Sequence, residues 1–162
     1  MDISLIVAVG LSGQLGLDQG LPWSVKGDLK RFKKMTMGHH LVVGRKTWET
    51  LPPLPGRHVM VMSRKKVTGD CDWVESPNAA IEMARSRGET RLFFAGGAQV
   101  YQSAFNLAQT IEMTTIHYDG DADTWFPQWD ASKWKIIDEG INEEEKGLSW
   151  GWKTYQRCKK IL

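Results

Sequence analysis

The sequence predicts an α/β fold: one domain spanning residues 1–162, with a mainly parallel central sheet of about eight strands, crossover helices on both faces and an antiparallel C-terminal hairpin. Three observations carry this reading. Short apolar runs alternate with helical segments through the first two thirds of the chain. The last third holds strand-like segments with few helical ones between them, and the final two flank the polar turn NEEEKG. The length, 162 residues, fits one domain with a real core and leaves no room for a second large one.

Taken in order, residues 3–9 form a buried first strand, and 10–20 (GLSGQLGLDQG) a glycine-punctuated loop too long to be a tight connector. An amphipathic helix covers 28–36, followed by an apolar strand at 40–43. Gly44 then opens a short helix in GRKTWETL. Strands at 57–62 and 72–75 precede a helix over 77–87 that Gly88 ends. Residues 91–95 make another buried strand, and Gly96-Gly97 leads into a helix over 98–105. Strands at 110–118, 134–139 and 148–157 complete the sheet.

Composition narrows the function. A formal charge of +2 disfavours a dedicated nucleic-acid binder, so any basic chemistry must be local. Cys71 and Cys158 form no CxxC pair, and a reducing cytoplasm is the default compartment. The apolar start lacks the positive n-region of a signal sequence, and no run approaches the roughly 20 apolar residues that span a bilayer. Metal sites find little support. Adjacent strand residues such as His39 and His40 point to opposite faces, and Asp119, Asp121 and Asp123 begin a calcium-loop pattern that Thr124 and Asp130 break.

Chemistry concentrates at the carboxyl ends of strands, where open α/β sheets bind ligands. Gly44 precedes a helix start carrying Arg45, Lys46 and Thr47; Gly96-Gly97 precedes another; a third strand ends in Ser63-Arg64-Lys65-Lys66. Singly these are turns and solvated charges; jointly they suit phosphate. Neither GxGxxG nor GxxxxGK[ST] occurs. Asp28 stands on the same helical face as Phe32 and Met35, which should point inward. Two readings fit it: a helix N-cap, or a partly buried carboxylate able to bind paired N–H donors. Leu5, Val7, Leu29, Phe32 and Leu51 could form the apolar walls around such a carboxylate.

The segments ISLIVAVGLSGQLGLDQGLPWSVKGDLKRFKKMT, VVGRKTWETLPPLPGR, FFAGGAQVY and TTIHYDGDADTWFP, in this order and spacing, resemble the bacterial dihydrofolate reductases over essentially the whole chain. The resemblance implies NADPH-dependent reduction of 7,8-dihydrofolate to tetrahydrofolate for one-carbon metabolism, by a cytoplasmic monomer that antifolates target and that needs neither nucleic acid nor membrane. It implies that Asp28 binds the pterin, that Thr114 hydrogen-bonds Asp28, that Trp23 holds a water nearby and that Leu21 lies near the tip of a mobile lid over 10–24. Val7, Leu29, Phe32, Leu51, Leu54 and Ala95 would enclose the substrate, with Arg57 on the glutamate tail. Gly44, Arg45, Lys46, Thr47, Gly96, Gly97, Ala98 and Gln99 would hold the cofactor phosphates. Arg45, Ser63 and Arg64 would select the 2′-phosphate, and Val7, Ala8 and Tyr101 would approach the nicotinamide. Gly16, Leu17, Met62, Ala95 and Val100 complete the implied cofactor site, and Asp123 would support the closed lid through N–H groups near Gly16. Two departures stand out: Ala95 is smaller than the family's usual aliphatic residue, and LPPLPGR is one residue short.

Two other readings use the same residues. A pyrimidine reductase of riboflavin synthesis shares the fold and cofactor but has no need for Trp23 with Asp28, or for Arg57. A single-stranded nucleic-acid binder could stack bases on some of the eight tryptophans beside the SRKK segment.

Overall fold

The computed structural model describes residues 1–16, 25–145 and 147–159. Strand β1 (Asp2–Val9) runs through the centre of an eight-stranded sheet. Around it lie β3 (His40–Gly44), β4 (His58–Met62), β5 (Asp72–Val74), β6 (Arg91–Phe94), β7 (Thr110–Ile116), β9 (Trp134–Glu145) and β10 (Leu148–Arg157), in the order β5-β4-β3-β6-β1-β7-β10-β9. All pairings are parallel up to β7; β10 pairs antiparallel with both β7 and β9. The parallel sheet with a C-terminal hairpin thus matches the expected architecture.

Alternation along the strands sorts side chains into two layers. On one face Leu5, Val7 and Val9 join Val42, Phe94 and Met113 under helix α3 (Pro77–Ser86) and helix α4 (Ala98–Ala104). On the other, Ile6, Leu41 and Phe93 meet Phe32 and Met35 of helix α1 (Lys26–Thr36), while Val43, Val59 and Val61 meet Trp48 of helix α2 (Arg45–Thr50). A sheet buried on both faces explains why the parallel strands read as nearly continuous apolar runs. Local signals set the helix ends. Ser76 Oγ accepts from the Ala79 N–H at 3.1 Å and caps α3, with Pro77 in the first turn. After the helix the chain turns through Gly88 at φ +75°.

Several expectations change. Part of the predicted loop is strand: β2 (Gln14–Gly16) pairs with β8 (Thr124–Trp125) in a separate two-stranded sheet, too short to show periodicity. Asp28 is not an N-cap, because α1 starts at Lys26 after Val25 and has no side-chain cap. His39 and His40 do not diverge: His39 precedes β3, and both rings reach Glu89, at 2.8 and 2.6 Å from its two oxygens. Cys71 and Cys158 are free. Among the described residues no helix is long and apolar enough to cross a membrane, and no group of three or more His, Cys, Asp or Glu is arranged to hold a metal.

Candidate active site

Parallel pairing places Ile6 beside Glu112 and Ala8 beside Thr114, so these four side chains share the face covered by α1. Asp28, in the first turn of α1, points at this face, and its Oδ1 accepts a hydrogen bond from Thr114 Oγ1 at 2.6 Å. Burial pushes the Asp28 carboxyl above the usual aspartate range, opposed by the Thr114 hydroxyl and by the charge of Arg31. A carboxylate held this way has a fixed pose and can accept further hydrogen bonds from donors. It is a ready partner for a planar group offering two N–H bonds.

Apolar residues collect beside it. Phe32, Leu54 and Ala95 pack around Ile6, Leu41 and Phe93, and Leu51 joins Leu54 and Ala95 over Val43, Val59 and Val61. Leu29 is 55% exposed on α1. Leu5 and Val7 do not contribute walls here, because alternation turns both side chains into the opposite core, leaving Val7 only its backbone. Ile6, absent from the sequence reading, takes the place expected of Val7; its signal was the register with Thr114. Arg57 lies just before β4, and its Nε donates to the Pro55 carbonyl at 3.2 Å.

A second cluster forms where β3 and β6 end side by side. The Gly44 N–H donates to the Gly96 carbonyl at 2.8 Å, and the Tyr101 N–H to the Gly97 carbonyl at 3.0 Å. The Gly96–Gly97 peptide is cis, and Gly96 sits at φ +119°, where side chains are disfavoured. A Cβ on Gly97 would reach 3.5 Å from Thr47 Oγ1, so the start of α2 directly adjoins this glycine pair. Arg45, Lys46, Arg64 and Gln99 are exposed around the cluster's rim, and Met62, Ser63 and Ala98 are half-buried. Arg45 lies 3.9 Å from Glu49, one turn along α2. Val100 and Tyr101 are buried: Val100 would contact a Cβ on Gly44, and the Tyr101 hydroxyl donates to the Ile6 carbonyl at 2.7 Å. Burial and the Asp28 charge push the Tyr101 phenol above its ordinary range.

Leu17, Leu21 and Trp23 lie outside the described residues. Gly16 ends β2, and its carbonyl accepts from the Asp123 N–H at 2.9 Å, so Asp123 engages this segment through its own backbone. Asp119 does so through its side chain, accepting from Ser12 Oγ at 2.6 Å and Gln14 Nε2 at 3.1 Å. Two open clefts, of about 610 and 460 Å³, are lined by none of the predicted catalytic, substrate or cofactor residues, although Gly10 to Gly13 of the expected lid segment line the smaller one.

A family model described as dihydrofolate reductase matches residues 2–157. The chain belongs to the dihydrofolate reductase family. The dihydrofolate reductase of Bacillus subtilis is 33% identical over 160 residues, covering 96% of this chain and 94% of that protein. That of Buchnera aphidicola subsp. Baizongia pistaciae is 34% identical over 165 residues, covering 99% of each. Among solved structures, the Enterococcus faecalis dihydrofolate reductase complexed with NADP(H) and RAB-propyl superposes with a TM-score of 0.88 at 26% identity, covering 98% of this chain and 97% of that one.

Proposed function

We propose that this reductase converts 7,8-dihydrofolate to 5,6,7,8-tetrahydrofolate with NADPH, and that Asp28 is the residue on which substrate recognition turns. The observation that carries it is the Asp28–Thr114 pair, a fixed carboxylate beside an apolar wall of Ile6, Phe32, Leu54 and Ala95. That combination suits a flat heteroaromatic ring with an amino group and a ring N–H on one edge. Asp28 binds both donors and holds the ring; Thr114 keeps the carboxylate from turning; the apolar side chains exclude water and align the ring for reaction. Arg57 is suited to the carboxylate of the glutamate tail.

The residues at the second cluster fit a dinucleotide. The backbones of Gly44, Gly96 and Gly97 offer close approach beside the Thr47 hydroxyl, with exposed Arg45 and Arg64 for phosphate charge. NADPH, when bound, supplies the hydride. Asp28 is the substrate's anchor and polarises it, while the proton for N5 comes from water, with Trp23 and Leu21 assigned to managing that water. The small partners of this chain are therefore dihydrofolate, NADPH and antifolates that imitate the pterin edge. The modest formal charge supports a reading without nucleic acid, and the family resemblance supports a cytoplasmic monomer that needs no membrane.

The test is the loss of nicotinamide absorbance when the protein meets NADPH and dihydrofolate, with NADH and Asp28→Asn in parallel. Rapid oxidation that prefers NADPH and collapses in the variant is the expected result. A folded protein that binds NADPH and leaves it unoxidised in the presence of dihydrofolate would overturn the substrate assignment.

A further inference from the structure

Helix α1 and strand β7 are joined by two polar rungs. Asp28 meets Thr114 at 2.6 Å, and one turn along the helix Arg31 Nη2 meets Glu112 Oε2 at 3.0 Å. The spacings agree: three residues on a helix and two on a strand each keep side chains on one face. Glu112 is 4% exposed, and its carboxylate is fully engaged. Oε2 also accepts from Thr154 Oγ1 at 2.6 Å, and Oε1 from Arg91 Nη2 at 2.9 Å. The Arg31 guanidinium is held from another side by Trp152, with its central carbon 4.0 Å from the ring centroid. A long cation that would ordinarily wave in solvent is thereby fixed close to the substrate-binding carboxylate.

Among the described residues the charges near Asp28 are few. From α1 come Arg31 and the exposed Lys26 and Lys30; from β7, Glu112; from α4, the Tyr101 phenol; β1 contributes the uncharged Ile6 and Ala8, and β10 the uncharged Trp150, Trp152 and Thr154. Arg91 stands behind Glu112. Thr114 is a neutral donor, able to orient Asp28 but not to balance its charge. After the Thr114 hydrogen bond, the charge of Arg31 draws the Asp28 carboxyl down against burial. Without Arg91 and Arg31, the Glu112 charge would work in the opposite sense.

We propose that Arg31, seated by Glu112 and Trp152, is a positioning residue that keeps Asp28 in its charged, substrate-binding form near neutral pH. The inference rests on the reading of Asp28 as the substrate-binding carboxylate. Arg31 touches no reacting atom; it acts through Asp28.

The test titrates Asp28 itself, by carboxyl NMR of ligand-free protein labelled with ¹³C-aspartate, the signal being assigned by its loss in Asp28→Asn. Arg31→Met removes the charge at similar length and should raise the Asp28 midpoint by roughly half a pH unit to one unit. Arg31→Lys should recover much of that shift. Glu112→Gln still accepts from Arg31 and Thr154 but deletes the buried negative charge, so the midpoint should fall. Opposite shifts in the two charge-deleting variants are the mark of an electrostatic role that lost packing would not produce. In turnover, the pH at which KM for dihydrofolate begins to climb should move with the midpoint. Unmoved midpoints, or shifts of the same sign, would overturn the proposal. Should Arg31→Met fail to fold, Arg31→Gln decides, since it can still donate to Glu112 but carries no charge: a raised midpoint supports the role and an unmoved or lowered one ends it. Because the titration needs no turnover, it is decided even where dihydrofolate proves not to be the substrate.

Discussion

Thr114 Oγ1 lies 2.6 Å from Asp28 Oδ1 and ties the middle of the sheet to the first turn of α1. The bond holds a carboxylate that burial makes reluctant to ionise. Asp28 therefore opposes stability, the cost of the binding role proposed for it. Its folded pKa is raised, so the folded state holds the proton more tightly than the unfolded one, and stability drops as pH climbs from the ordinary aspartate range through the folded value. Asp28→Asn should melt at a higher temperature than the parent at pH 7, with the advantage vanishing below about pH 4. Turnover should meanwhile fall by about 100-fold or more, the scale of a mispositioned substrate. Thermal melts across pH, with steady-state assays beside them, check both halves.

Gly27 sets how closely α1 approaches the sheet. A Cβ there would run into the Trp150 indole, which is packed with Val25 and Ile116. Gly27→Ala should cost about 1–3 kcal/mol by overpacking, despite alanine's better helix propensity. The displaced helix should also raise KM for dihydrofolate. Denaturant melts of Gly27→Ala, alone and with Trp150→Leu to make room, should show the loss and its partial recovery.

At the opposite end of the sheet, Glu89 binds His39, His40 and the backbone N–H groups of Thr90 and Arg91. Burial alone would raise its pKa, but these hydrogen bonds hold the carboxyl at about 2 in place of 4.5. A depressed carboxyl stabilises above its unfolded value and loses that contribution as pH falls toward its folded value. Stability should therefore decline between about pH 4.5 and 2. Glu89→Gln should lose up to about 3 kcal/mol at neutral pH and show a flatter acid limb in urea melts.

Cofactor choice gives a fourth expectation. Arg45 and Arg64 are exposed beside the glycine cluster, where a 2′-phosphate would find them. Replacing either with alanine should raise KM for NADPH by roughly tenfold and leave KM for NADH nearly unchanged, as the loss of one charge-assisted contact to phosphate implies. Equal effects on the two nucleotides would show that neither arginine reads that phosphate.

Much of this was readable before the structure, and the parts that were not have a common cause. The parallel strands and their helices follow from apolar runs and glycine junctions, and Asp28 showed itself by sitting among core positions. Alternation along β1 divides its residues into two sets but does not say which set α1 covers; only the register with β7 does, which is why Ile6 was missed and Leu5 and Val7 were misplaced. Arg31 sits among Lys30, Lys33 and Lys34 and looks like any solvated cation, because its partner Glu112 is 81 residues away. The strands β2 and β8, of three and two residues, are too short for any period. Local pattern reports what a residue does to its neighbours in sequence, while register and long-range pairing belong to the assembled sheet.

Strand β10 lies between β7 and β9, so the last of the described strands in chain order fills an interior slot. Its Trp150 and Trp152 are also the surfaces against which Gly27 and Arg31 of the first helix rest. Helix α1 can lay Phe32 and Met35 on Ile6, Leu41 and Phe93 earlier, but its first turns, with Gly27 and Arg31, must wait for β10 before their packing is complete. Until that moment a nascent chain presents an open β7 edge and a loosely packed start of α1, so the carboxylate proposed to hold the substrate gains its full setting only when β10 is in place.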